Sequence, residues 1–293
     1  MQRGMKESFR RTLDLLKENK SAIFTIGAVL FIFMMGMNMI TQVAMFIVYG
    51  LMALAGGAIA GGIYLVNLGG DMMVIGVILL ILGSLVLLAM ILALIGLVVI
   101  INSIGFGAQI YLAELLLRLK RGIKPEWKGI VDEAKREWKH LLKRGFKLFI
   151  RYLLLALILI ILVDIVGFGT IAAVVFLAAT EGTSGAVVSL VLFVAILLNV
   201  VLALMIIIIL PIFMFIADAS CVRMAEGKDA GTAIRHGLKD VRYNSTGIFY
   251  YFVGILILSL LSMVVFPVAV LLQPLLPILT KSFILMNRDM FYD

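Results

Sequence analysis

The chain has few of the residues on which disulfides and metal sites depend. Its one cysteine, Cys221, excludes a disulfide framework and a metal site with two cysteine ligands. Its two histidines, His140 and His236, are predicted to lie on the polar sides of helices as surface residues. The sequence therefore predicts no metal and no cofactor.

Positive charge is missing from long parts of the chain. No lysine or arginine occurs in three intervals, which are Ser21 to Leu117, Tyr152 to Val222 and Tyr243 to Thr280. A soluble protein needs charge along each exposed helix face, so this class is excluded. The 25 basic residues fall instead into four patches, at 1–20, 118–151, 223–242 and 281–288. Such a pattern predicts a polytopic membrane protein whose basic patches are cytoplasmic.

The positive charge itself favours a lipid partner. Hydrophobic residues make up 63% of the chain and charged residues only 14%, and the patch at 118–151 accounts alone for the net charge of +8. Because this patch adjoins apolar stretches, it predicts contact with anionic lipid and no nucleic acid. The other interpretation, a solvated patch that only sets the topology, is the more common case for such a patch. The predicted lipid contacts are Lys128, Lys135, Arg136, Lys139, Lys143, Arg144 and Lys147.

Two polar turns divide the apolar intervals into crossings. Residues 67–71 and 180–185 contain only Asp71 and Glu181 as charged residues, so these turns are predicted to lie outside. An even number of crossings must then separate consecutive basic patches. With about 20 apolar residues per crossing, the sequence predicts an all-α polytopic bundle of six transmembrane helices. Both termini are cytoplasmic in this multi-pass topology, and the protein lies in the cell membrane.

Two parts of this topology need a separate interpretation. The first interval is too long for two crossings, and an extension near residues 43–66 is expected, either re-entrant or lying in the outer interface. Gly57 and Gly61 in this segment have the spacing that lets membrane helices approach closely. The last two crossings are placed at 247–266 and 267–287.

The basic patches also repeat an apolar pattern. Three sets share the spacing i, i+4, i+7 of one helix face: Phe9, Leu13 and Leu16; Ala134, Trp138 and Leu141; Ile234, Leu238 and Val241. They predict interfacial amphipathic helices at about 4–20, 126–145 and 229–243, each followed by a transmembrane hairpin. The units run over about 1–122, 123–227 and 228–293 of a single integral membrane domain.

The ends of two predicted spans share a further pattern. Glu114 is followed by Arg118 and Gly122, and Asp218 by Arg223 and Gly227. An acidic residue one turn before a basic one, and then glycine, indicates a helix that leaves the membrane and stops. Glu114 and Asp218 are accordingly interpreted as topological stop signals. Asp229 is predicted to cap the next helix.

These features resemble those of a known group of proteins. The resemblance rests on Ser8-Phe9 with 15–19, on Arg118, Gly122 and Pro125, on Gly227 with Ala233 onward, and on Tyr292-Asp293. The chain is similar to a broad group of uncharacterised prokaryotic six-helix membrane proteins, many of them archaeal. That group looks related to the membrane portion fused to some glycerophosphodiester phosphodiesterases. The resemblance implies a fold and carries over no enzyme activity.

Asp164 is the candidate for an intramembrane site. It follows Arg151 by about 20 Å of helix, deep in an apolar stretch where a carboxylate is costly. It is either a proton, cation or substrate site, or a neutral structural residue bonded to Asn199 or Asn102. These two asparagines and Asn38 could line a pathway, but the favoured interpretation is that they join helices by hydrogen bonds.

Three classes of function follow from these candidates. The favoured one is a non-enzymatic membrane protein that organises the membrane or acts as a scaffold through its basic collar. The second is a small-molecule or ion transporter that uses Asp164. A lipid-modifying enzyme is disfavoured, because the sequence has neither a nucleophile with its base nor a nucleotide-binding loop.

Overall fold

A computed structural model describes residues 2–179, 185–243 and 275–291, together with a few residues between 248 and 257, and most of their side chains. This part of the chain is helical apart from short turns and contains no strand, which confirms the all-α class. Its helices are α1 (Gln2–Glu18), α2 (Lys20–Leu68), α3 (Asp71–Lys120), α4 (Trp127–Ala179), α5 (Gly185–Ala225), α6 (Ala230–Tyr243) and α7 (Leu275–Phe291). Most of the predicted last pair of crossings lies outside the described residues, so the number six stays a prediction.

The lengths and surfaces of the helices show a membrane-embedded protein. Among the described residues, α2, α3 and the segment Gly185–Leu202 of α5 are long and apolar enough to cross a bilayer. Large apolar side chains point outward along them, such as Phe46, 81% exposed, and Leu54, 72% exposed. Because water would penalise so much exposed apolar surface, these helices must face lipid tails.

The extension expected near 43–66 is neither re-entrant nor a separate interfacial helix. This segment belongs to α2, which is 49 residues long and therefore about 74 Å, against about 30 Å for a hydrocarbon core. The helix continues because an unbroken helix satisfies its own backbone hydrogen bonds in an apolar medium, and the glycines here do not interrupt it. It ends at Gly69 and Gly70, whose positive φ angles of 71° and 58° turn the chain into α3.

Helices α2 and α3 form an antiparallel hairpin that packs through small residues. A Cβ atom at Gly62 would lie 2.8 Å from the carbonyl oxygen of Gly76, and one at Gly76 would lie 2.7 Å from the oxygen of Gly62. Gly57 and Gly61 have no neighbouring atom within 4 Å of such a position. Close approach is therefore made by Gly62 and Gly76, and the predicted role of the Gly57/Gly61 spacing is wrong for contacts within the described chain.

The buried core lies at the basic end of the helices. It combines residues of five helices, including Ile26 of α2, Leu116 of α3, Leu141 of α4, Phe215 of α5 and Ile278 of α7. Each of them is at most 7% exposed. This core holds the helices together where the basic residues are also concentrated.

The three segments predicted as interfacial helices differ in their connections. α1 and α6 are separate helices that occupy the first and third segments. The second segment, 126–145, is instead the first part of the 53-residue helix α4, which runs without a break into the apolar stretch. Trp138 of the predicted apolar stripe is 54% exposed, whereas Leu141 is buried. The division into three repeated units stays a prediction.

The predicted helix ends at Gly122 and Gly227 are confirmed. Gly122 and Gly227 have positive φ angles of 81° and 89°, a conformation that favours glycine after a helix. In both turns the residue after the glycine donates its backbone N–H to the carbonyl of the arginine, Arg118 or Arg223, at 3.0 and 3.1 Å. Asp229 caps α6, since its Oδ2 accepts a hydrogen bond of 2.9 Å from the Gly231 N–H.

Candidate functional site

The first part of α4 carries one continuous basic face. Lysines at intervals of seven or four residues lie on one side of a helix, and here they are all exposed. Ile130, Leu141 and Leu148 lie on the opposite side and are buried against the neighbouring helices. We call the exposed side the basic face, and its members are Lys128, Lys135, Arg136, Lys139, Lys143 and Lys147. The fold therefore brings six of the seven predicted lipid contacts together on one surface.

Arg144, the seventh predicted lipid contact, joins three helices. Its guanidinium group donates hydrogen bonds to the Glu114 carboxylate on α3 and to the backbone carbonyl of Met224 near the end of α5. The Arg144 and Glu114 side chains are only 18% and 17% exposed. A planar group with five donors suits such a shared position better than lysine would.

The acidic and basic residues at the span ends pair across helices. Arg118 holds Glu133 of α4 through two hydrogen bonds of 2.6 Å. Arg223 holds Asp240 of α6 through contacts of 2.9 to 3.2 Å. Each arginine therefore reaches the next helix along the chain. The interpretation of Glu114 and Asp218 as topological stop signals stays a prediction.

The Arg118–Glu133 pair stays ionised to a lower pH than an isolated glutamate would. The hydrogen bond from Arg118 holds the pKa of Glu133 below its ordinary value, since it stabilises the charged carboxylate. The contribution of this pair to folding is therefore present above the unfolded pKa of glutamate, about 4.3. It is lost only as the pH falls through the lowered pKa of the folded state.

Lys281 forms a buried site that the sequence analysis missed. Its side chain is 0% exposed, and its Nζ donates to the Asp218 carboxylate and, at 2.6 Å, to the Gln109 Oε1. The sequence analysis counted Lys281 in the last of the four basic patches, which are predicted to be cytoplasmic. The available signal was its position as the single charged residue of the otherwise uncharged segment Leu275–Asn287.

A polar cleft opens between α4 and the turn that joins α5 to α6. Its volume is about 700 Å³. Its charged lining residues are Arg144, Lys147, Arg151, Lys228, Glu114 and Asp229, and His140 lies beside them. Arg151 approaches the Asp229 carboxylate at 3.1 Å. Hydrogen bonds from Thr232, and then from Arg151, hold the pKa of Asp229 well below its usual range, so it is ionised at neutral pH.

The predicted intramembrane polar residues are not brought into one described cluster. Asp164 lies in α4 within a stretch whose side chains fall outside the described residues. Asn199 donates to the Thr170 hydroxyl on α4 at 2.9 Å, whereas exposed Asn102 donates to the Val98 carbonyl of its own helix at 2.8 Å. Asn38 is exposed on α2. A transport pathway through Asp164 stays a prediction.

No metal centre is found in the part of the chain that the structure describes, where no three His, Cys, Asp or Glu residues come close enough to hold an ion.

Comparison with known proteins identifies a family. Residues 111–274, more than half of the chain, match the family described as a protein of unknown function (DUF4013). No curated protein and no solved structure matches the chain. The match agrees with the predicted resemblance to an uncharacterised family, whereas its archaeal range and its link to phosphodiesterases stay predictions. The chain is membrane-embedded and belongs to the DUF4013 family.

Proposed function

We propose that this chain is a non-enzymatic integral membrane protein of the cell membrane, with both termini in the cytoplasm, whose basic face binds anionic headgroups of the inner leaflet. In this role it organises the membrane or serves as a scaffold at its surface. The observation that carries the proposal is the row of six exposed cations on α4, immediately before the apolar stretch that begins at Tyr152.

The position of the basic face supports lipid contact. The helix is continuous from Trp127 to Ala179, so the cations are rigidly joined to the apolar part of the same helix. The five lysines of the face form no ion pair with any described residue, and their ammonium groups are free for a negatively charged partner. Each cation near an anionic membrane surface contributes about 1 kcal/mol, so the effect of six is large even after screening by salt.

The test is a charge-neutralising variant, Lys135→Gln, Arg136→Gln, Lys139→Gln and Lys143→Gln together. We expect native mass spectrometry of the purified protein to show at least about tenfold less retained anionic lipid, since four contributions of about 1 kcal/mol are removed. The matched control exchanges lysine and arginine at the same four positions and should retain lipid as the wild type does. Undiminished retention by the neutral variant, with its helix content preserved, would sink the proposal.

A further inference from the structure

The polar cleft adjoins the basic face and shares Lys147 with it. It lies on the side of α4 that faces the end of α5 and the start of α6, and its walls also include the apolar side chains of Phe146 and Ile150. Arg151 is the last cation of α4 before the apolar stretch. The cleft therefore lies where a helix passes from lipid tails to headgroups.

The charges in the cleft leave two cations without a counterion. Glu114 and Asp229 are each already paired with an arginine, Arg144 and Arg151. Lys147 and Lys228 are exposed and form no ion pair with the residues that the structure describes. The two arginines and the two lysines carry four positive charges and the two carboxylates carry two negative charges, so the net charge of the cleft is about +2. A ligand with two negative charges would restore neutrality.

The paired carboxylates also fix the arrangement of the arginines. Arg144 is held between α3 and α5, and Arg151 is held beside the cap of α6, so both guanidinium groups are oriented before any ligand binds. Guanidinium groups recognise phosphate oxygens through directional hydrogen bonds, and lysines add mobile point charges. This combination is suited to a phosphate group more than to a carboxylate, which offers fewer oxygens.

We propose that the cleft binds a terminal phosphate monoester, and specifically that of a membrane lipid such as phosphatidic acid. A phosphate monoester carries about −1.5 to −2 charges at neutral pH and matches the surplus of the cleft, whereas a phosphodiester headgroup carries only about one. The assignment of the phosphate group to a lipid rests on the proposed function, because a lipid can bind only if the cleft faces the headgroups. A soluble phosphate monoester shares the same chemistry.

The test compares two lipids at equal content in nanodiscs of phosphatidylcholine that contain the full chain. We expect native mass spectrometry to show about tenfold higher retention of phosphatidic acid than of phosphatidylglycerol, as one additional charge-assisted hydrogen bond would give. The variant Lys147→Gln/Lys228→Gln should retain both lipids equally. The control Lys139→Gln/Lys143→Gln removes the same charge from the basic face outside the cleft and should keep the preference.

A second arm distinguishes the source of the phosphate. Isothermal titration with inorganic phosphate in detergent should give binding that Lys147→Gln/Lys228→Gln abolishes. If phosphatidic acid is still retained in excess phosphate, the lipid is the natural source of the phosphate group. Equal retention of the two lipids by the wild type, without binding of phosphate, would overturn the phosphate site. Loss of the preference for phosphatidic acid in the control variant Lys139→Gln/Lys143→Gln would overturn the assignment of the phosphate site to the cleft. The basic-face proposal would survive either result if its own neutral variant still loses anionic lipid.

Discussion

Replacing Asp218 with asparagine is expected to lower the free energy of unfolding by about 3–5 kcal/mol, because it leaves the ammonium group of Lys281 buried without its counterion. Lys281 is 0% exposed and reaches only Asp218 and Gln109 among its described hydrogen-bond acceptors. A neutral amide cannot compensate for the cost of removing a charge from water. Denaturant titration in detergent, followed by circular dichroism, measures the change.

The matched control for this variant removes both charges together. In Asp218→Leu/Lys281→Met no buried ion remains, so the stability should return to within about 1 kcal/mol of the wild type or exceed it. A double variant that is as unstable as Asp218→Asn would contradict the assignment of the loss to an unpaired charge. In that case the shape of the site would determine the stability.

Gly145→Ala is expected to have the second largest effect, a loss of about 3 kcal/mol in the free energy of unfolding. At this position α4 crosses α3 with the two backbones in contact. A Cβ atom at Gly145 would overlap the carbonyl oxygen of Ser103 and lie 2.5 Å from the backbone nitrogen of Gly107. Since both obstacles are backbone atoms of a helix, a side-chain rotation cannot relieve them. The same titration measures the loss.

Gly129→Ala is the control on the same helix. A Cβ atom there meets no atom within 4 Å, so alanine should raise the stability of the helix by about 0.5–1 kcal/mol. The two substitutions are chemically identical, and they should therefore differ in sign. Equal effects at Gly145 and Gly129 would mean that α3 and α4 do not cross in backbone contact.

The sequence predicts well those features whose causes are local. Gly122 and Gly227 end their helices because glycine tolerates the positive φ that the turn requires, and Asp229 begins one because its carboxylate accepts backbone N–H groups. The spacing of the lysines on α4 likewise determines that they share one face once the segment is helical. The composition of the chain was sufficient to predict that it is a membrane protein.

Features that depend on which helices are neighbours could not be predicted. Asp218 and Lys281 are 63 residues apart, and their pairing follows only from the packing of α7 beside α5. Glu114 stands one turn before Arg118 in the sequence and yet contacts Arg144, because α4 returns alongside α3. The cleft could not be predicted for the same reason, since its lining residues come from four helices and a turn.

The segment near residues 43–66 shows a different limit of prediction from sequence. Length was the reason to expect an extension, on the assumption that a helix matches the thickness of the bilayer. Nothing in the segment ends a helix before Gly69, and the pairing of Gly62 with Gly76 stabilises the long hairpin. The helix therefore continues because the segment has no residue that ends it, although its length exceeds the thickness of a bilayer.

The most direct measurement for the basic face is the immobilisation of lipid beside the protein. Electron paramagnetic resonance compares spin-labelled phosphatidylglycerol with spin-labelled phosphatidylcholine in membranes that contain the wild-type chain. We expect a larger motionally restricted fraction for the anionic lipid, and we expect the difference to shrink at about 1 M salt, where the screening length falls to about 3 Å. Equal restricted fractions for the two lipids at low salt would contradict the account.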